Sequence, residues 1–453
     1  MYKKIYLLGL VAFCCMLVMA VIFYNERIIC VDSAAYLFTI LREGDFTIQH
    51  SRFIAVLTEI FPLVASKMSL PLRDVMIIYS VGFVIYQLTI YLICGFVLKD
   101  YRMGVVLLLF HILFATYSFY WGVSELLQGV PVMLLLFTCI NAANHKRAIT
   151  ILLLFLFIPV IVFSHPLLLF PFGFALIFFL LDKQLSRREV IIVAGVFIAT
   201  FIVKACFFRE GYDTHSMSGL KHFLTLFPDY IFIYSNKVFL QHIVTKYYWI
   251  PICSTAILWV YFSRKQWHKI LLFAVAMAGY LLLVNVSYPD SRTPSFYIEN
   301  LYMPMGIFIG LPFVFDVLPV LEKRKLALLV AVLIIVAGLI RINAAHTGFK
   351  MRIDWERDFL NANKGRKIMM SSKYAPMDTL QMAWATPYEF WLLSTKDHDT
   401  TASIIINDAI EEVAWAKGEK KSFVTMWGIC SYSSLNTRYF KMRDTTSEYT
   451  VIK

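Results

Sequence analysis

Eleven runs of mostly apolar residues, at about 5–24, 75–98, 103–120, 130–143, 149–164, 167–181, 190–208, 249–263, 270–286, 301–321 and 326–340, leave this 453-residue chain few ways to fold. A membrane-crossing helix needs about 20 such residues. Hydrophobic residues make up 59% of the sequence and charged ones only 16%, a balance that ordinary soluble domains do not carry. The runs predict an all-α polytopic membrane protein with about eleven transmembrane helices. Pro159, Pro166, Pro171, Pro312 and Pro319 predict that several of them are kinked or packed obliquely.

Basic residues set the orientation. Lys3-Lys4, Lys99 with Arg102, Lys146-Arg147, Lys183 with Arg187-Arg188, Arg264-Lys265 with Lys269, and Lys323-Arg324-Lys325 fall in alternate connections. Those connections are expected in the cytoplasm, with the amino terminus inside and the carboxy terminus outside. Positive-inside loops account for much of the formal net charge of +12, so no nucleic-acid partner is implied. The first run carries Lys3-Lys4 and Cys14-Cys15, but it is long and Phe13 is too bulky beside a cleavage site, so it reads as an uncleaved span. The eight cysteines lie mostly inside runs and lack metal-ligand spacing. No cofactor is indicated, and a divalent metal gets no support.

The outward connections at 25–74 and 209–248, and the tail after residue 341, are long enough to build structure. In the first, Ala34, Leu37, Phe38 and Leu41 repeat at helical spacing, as do Phe53, Leu57, Ile60, Phe61 and Val64. Two helices along the membrane surface are expected there. Leu220, Phe223, Leu224 and Phe227 extend the pattern to the second loop, suggesting a roof of two amphipathic loops over a transmembrane domain at 1–341. The tail at 342–453 turns charged and mixed, with a helix-like stretch at 355–363 and strand-like stretches at 367–370, 402–406 and 422–426. It reads as a small soluble extracytoplasmic α/β domain. It has no glycine-rich phosphate loop and no nucleophile elbow, which leaves acceptor recognition or scaffolding as its role.

Charge concentrates directly after the first run, in Cys30-Val31-Asp32-Ser33-Ala34-Ala35-Tyr36, Arg42-Glu43-Gly44-Asp45 and His50-Ser51-Arg52. This loop resembles that of the GT-C superfamily of membrane glycosyltransferases, which includes aminoarabinose and protein mannosyl transferases that take sugar from a polyprenyl phosphate. In that family an outward loop opens with an acidic motif and continues into a surface helix ending near a Gly-Asp pair. Ser124-Glu125-Leu126-Leu127, Ser164-His165-Pro166 and Tyr302-Met303-Pro304 resemble later family motifs in order. The resemblance covers roughly the first 320 residues. It implies a GT-C-like fold, an inverting transfer from a polyprenyl-phosphate-linked sugar to a lipid, glycan or protein acceptor, and Asp32 in the place of the catalytic acid. Ser33 stands where the family has its second acid.

Such a transfer needs a base for the acceptor hydroxyl, and Asp32 is the candidate. Its alternative role is to cap a helix starting at Ser33. The departing phosphate needs fixed cations or donors. Lys204, Arg209 and His165 are the candidates, set against snorkelling for Lys204 and a structural hydrogen bond for His165. Glu125 would orient the acceptor or pair with Arg52 or Arg209. Asp45 and Arg52 join it as acceptor-side candidates, while Arg292 and Glu299 form a second tier. His111 and Asp316 read as hydrogen-bonding groups of the bundle. A glycolipid transporter or flippase would show half-repeats or broken helices with midplane polar groups. A polysaccharide polymerase or ligase would show arginine-rich late loops, of which Arg292 is the one hint. A structural subunit displaying the tail is a further alternative. The layout suits a bacterial inner membrane, with the bilayer itself as a partner.

Overall fold

The computed structural model describes residues 1–142, 147–208, 221–290 and 293–452, apart from the side chains at 147, 148, 412 and 414. Every predicted apolar run contains a helix. In chain order the principal helices are α1 (Tyr2–Ile22), α2 (Val31–Glu43), α3 (Val56–Lys67), α4 (Leu72–Val97), α5 (Tyr101–Leu113), α6 (Glu125–Ala142), α7 (Arg147–Ser164), α8 (Leu169–Leu181), α9 (Arg187–Phe207), α10 (Tyr234–Thr245), α11 (Trp249–Ser263), α12 (Trp267–Ser287), α13 (Ser295–Lys323) and α14 (Ala327–Ala344). Among the described residues, α1, α4, α6, α9, α12, α13 and α14 are each long and apolar enough to cross a membrane. The α10–α11 pair qualifies jointly but bends by 85°, and α5, α7 and α8 are shorter apolar helices. Large apolar side chains on α9 and α12, such as Ile191, Ile198, Leu271 and Val275, face outward without protein cover. This is a multi-pass membrane protein whose outer surface is matched to lipid.

Close packing needs small residues where helices approach. A Cβ on Gly9 would lie 2.1 Å from the Tyr91 hydroxyl, and one on Gly95 would lie 2.1 Å from the Tyr6 ring. The gap they leave admits a stacked Tyr6–Tyr91 pair with centroids 4.3 Å apart. Each tyrosine hydroxyl donates to the other residue's backbone carbonyl, at 3.1 and 2.6 Å. His111 and Asp316 do serve the bundle. His111 meets Gln87 at 2.9 Å, and Asp316 accepts from Lys269 at 2.8 Å and Tyr261 at 2.9 Å.

The run at 103–120 departs from expectation because its helix stops at Leu113. The carboxylate of Glu299, fully buried, accepts the amides of Thr116 (2.7 Å) and Ser118 (2.8 Å), drawing them away from helical partners. Buried Arg27 donates to the Phe119 carbonyl and to the Ser80 hydroxyl at 2.9 Å, completing the turn. The chain therefore loops across the bundle end before α6 begins.

The tail forms the predicted α/β unit. Parallel strands β1 (Ile368–Ser371), β2 (Ile404–Asn407) and β5 (Thr450–Ile452) lie in the order β2-β1-β5, and β3 (Ser422–Thr425) pairs antiparallel with β4 (Gly428–Ser431). Helix α15 (His346–Ala362) follows α14 through Ala345 alone, and α16 (Thr386–His398) joins β1 to β2.

The expectation of two surface helices under a two-loop roof needs correction. The apolar stripe of α2 meets the tail, with Phe38 ringed by Tyr388, Trp391, Phe423 and Phe440 at centroid distances of 5.0 to 5.2 Å. On α3 and the turn before it, Phe53, Leu57, Ile60 and Val64 stay exposed, as a helix resting on lipid requires. Of the second loop's stripe, Leu220 lies outside the described residues, and Leu224 and Phe227 are exposed on a segment that covers no part of the α2 cavity. The tail is the roof. Truncating a core phenylalanine costs about 3–5 kcal/mol, so Phe38→Ala is expected to loosen the tail and expose residues 342–453 to limited proteolysis while the apolar helices stay protected.

Candidate functional site

Helix α2 starts at Val31 with Cys30 at its cap position, so Asp32 lies inside the first turn and is not the cap. The capping alternative is thereby removed. Asp32 instead faces a cavity of about 930 Å³ walled by α2, the loop before α3, the turn before α6, the start of α13, and the tail. Burial above all, with the Glu125 carboxylate adding to it and the Trp121 indole opposing it in part, pushes the Asp32 carboxyl up to about 7. Among the described residues the Trp121 N–H itself has no partner of good hydrogen-bond geometry. Asp32 is thus half-ionised near neutrality, the condition in which a carboxylate can accept a proton and hand it on.

Opposite Asp32, the first residue of α6, Glu125, pairs with Arg52 at 3.1 Å, and both side chains are nearly closed to solvent. Of the two partners expected for Glu125, Arg52 is the one found; Arg209 lies outside the described residues. The Tyr36 hydroxyl, one turn along α2 from Asp32, lies 3.5 Å from both Glu125 and Gln49. Burial holds that hydroxyl well above the usual tyrosine range, so it stays a neutral donor.

His165, between α7 and α8, lines the same cavity. Its Nδ1 accepts the Leu167 amide at 3.2 Å, which leaves the ring proton on Nε2. Burial, then the charges of Arg52 and Lys204, hold its basicity well below the ordinary histidine value. Of the cations or donors expected for the phosphate, it is therefore a neutral donor. Lys204 departs further from its expected place. It is buried against the end of α7, donating to the Val162 carbonyl at 3.2 Å over the Phe163 ring, and does not line the cavity. This geometry also excludes snorkelling.

The remaining candidates divide. Asp45 is exposed, accepts the Phe46 amide at 2.7 Å and lies off the cavity. Glu299 is spent on structure: beyond the two amides it accepts the Ser118 and Tyr247 hydroxyls, each at 2.9 Å. Arg292, like Arg209, falls outside the described residues. Sequence reading missed the tail's share. Met382 and Trp384 follow β1, Tyr388 opens α16, and Met426 and Trp427 form the β3–β4 turn; all five line the cavity. Trp384 and Trp427 meet at 6.1 Å between centroids, and Trp427 is 75% exposed. The first of these loops leaves the carboxyl end of β1, the edge at which open α/β sheets receive ligands, and the second is the hairpin turn of the separate β3–β4 pair. Glu59 was missed as well. It accepts the Thr47 amide at 2.7 Å, and burial pushes it up to about 7, so the loop before α3 rests on a second soft acid.

Two outcomes follow. A carboxyl whose folded pKa is raised stabilises the fold when protonated and loses that contribution as pH rises toward 7. Asp32→Asn is therefore expected to raise the thermal midpoint at pH 8 and change it little at pH 4, measured by unfolding in detergent. Arg52→Ala leaves Glu125 buried without its cation and is expected to cost about 3–5 kcal/mol, whereas Arg52→Leu with Glu125→Leu recovers most of the lost thermal stability.

No protein-family model, curated protein or solved structure matches the chain.

Proposed function

We propose that the chain is an inverting glycosyltransferase of the GT-C kind, moving a sugar from a polyprenyl-phosphate donor to an acceptor hydroxyl on the outer face of a bacterial inner membrane. The observation that carries this reading is one cavity holding Asp32, the Arg52–Glu125 pair and His165 between apolar helices and a soluble domain. A cavity set between apolar helices and a soluble domain suits a lipid-linked donor and a polar acceptor. The eleven-crossing topology with its cytoplasmic amino terminus belongs to the same proposal.

In the reaction, Asp32 removes the proton from the acceptor hydroxyl as that oxygen attacks the anomeric carbon. The bond from that carbon to the phosphate oxygen breaks, and the electron pair leaves with the lipid phosphate. His165, through Nε2–H, and Arg52 answer the growing negative charge in a water-poor site, where such fixed donors are strongest. Glu125 holds Arg52 in place. The tail's aromatic wall faces the acceptor.

Mass spectrometry of envelope glycans and glycolipids tests the reading in cells carrying the intact protein, none, or Asp32→Asn. A sugar missing from the last two supports it; full product from Asp32→Asn overturns the base assignment. Lipid movement across sealed vesicles without a new glycosidic bond would replace it with a flippase. With the base titrating near 7, kcat/KM is expected to fall about tenfold per pH unit below 7 and to level off above it.

A further inference from the structure

The residue before Asp32 is held in a strained backbone state. Val31 has a φ of +40° and a fully buried side chain, a backbone state that a β-branched residue rarely adopts and that surrounding contacts must enforce. Its N–H donates to Glu389 Oε1 at 2.6 Å, across 358 residues of sequence. Glu389 sits in the first turn of α16, and its second oxygen takes the Arg352 guanidinium of α15. Arg352 also pairs with Glu356 at 3.6 Å and donates to the Met382 carbonyl at 3.2 Å, in the cavity wall. Glu389 and Glu356 are fully buried and Arg352 is 3% exposed. Burying two carboxylates on one guanidinium is costly unless the geometry is specific. Here the specific element is the contact from the tail to the backbone that bears the acid.

We infer that Glu389 is a positioning residue: it clamps the Val31 amide in its left-handed turn and so sets Asp32 in the cavity wall. The inference rests on the reading of Asp32 as the base. It also makes the tail a working part of the site. Glu389 touches no reacting atom and acts through Val31.

Dicyclohexylcarbodiimide, which modifies protonated carboxyls in apolar settings, reports the placement of Asp32 without any sugar chemistry. Peptide mass spectrometry would follow Asp32 modification from pH 5 to 9 in the full-length protein. Asp32 is faced by Glu125 on α6, Glu389 on α16 and the Trp121 indole, with Arg52 bound to Glu125. In the intact protein modification is expected to fall through about pH 7. Glu389→Ala should move that midpoint down by at least one unit, because the released turn lets water reach the carboxyl. Glu389→Gln keeps an accepting oxygen and should move it less. Glycine adopts positive φ without a clamp, so Val31→Gly with Glu389→Ala should return the midpoint most of the way. An unchanged midpoint in folded Glu389→Ala overturns the inference, and so does a shift that Val31→Gly leaves in place, since that marks a charge or stability effect alone. If Glu389→Ala does not fold, Glu389→Leu, which removes the accepting oxygen but fills the space, decides by the same criterion alone and with Val31→Gly. The glycan outcome for Asp32→Asn stands apart, so failure of the clamp and failure of the transferase reading are separable.

Discussion

The seating of α2 in the tail is the contact on which the rest of the structure depends. One face of the helix inserts Phe38 among four aromatic rings of residues 388–440, and the other turns Asp32 and Tyr36 to the cavity. Leu37, Phe38 and Leu41 are all but fully buried, each contributing about 1.5–3 kcal/mol by area burial. Hydrophobic burial on one side thus holds in place a side whose charges would otherwise drive it into water.

Those charges are unbalanced in a useful way. Asp32, Glu125 and Glu59 crowd one bundle end, and Arg52 sits among them as an ion-pair partner. With Glu125 neutralised by Arg52, Asp32 and Glu59 bear the cost of confinement as raised proton affinities near 7. At the far end of α8 the balance differs: Asp182 and Asp316 share Lys269, and each carboxylate there finds a cation. The two ends of the bundle are therefore electrostatically distinct, one closed on itself and one left responsive.

Much of this is legible in the sequence. Long apolar runs specify helices almost irrespective of context, so each run contains a helix although that at 103–120 stops at Leu113, and the strand-like stretches of the tail place β1, β2 and β3 to within a residue or two. Asp32 and Arg52 were legible as charges of the first outer loop, and Glu125 and His165 as polar residues at the outer rim, and the four converge. What sequence could not supply was partnership across long separations. Lys204 looks like a cation near the rim until Val162 is seen to occupy it, and Glu299 looks like a loop acid until the amides of 116 and 118 converge on it. The apolar stripe of α2 carries no mark distinguishing lipid from the tail's aromatic rings, because both satisfy the same periodicity. Trp384 and Trp427 read as ordinary tail aromatics until two loops bring them together.

Ala345 is the sole residue between the last apolar helix and the first helix of the tail. A joint so short has no slack to absorb rotation. Tilting of α14 in a bilayer of different thickness would be passed to the tail, and to α2 seated in it, as leverage, changing the separation between its tryptophans and Glu125 at the head of α6, so lipid composition itself becomes a mechanical input to the geometry of the chamber.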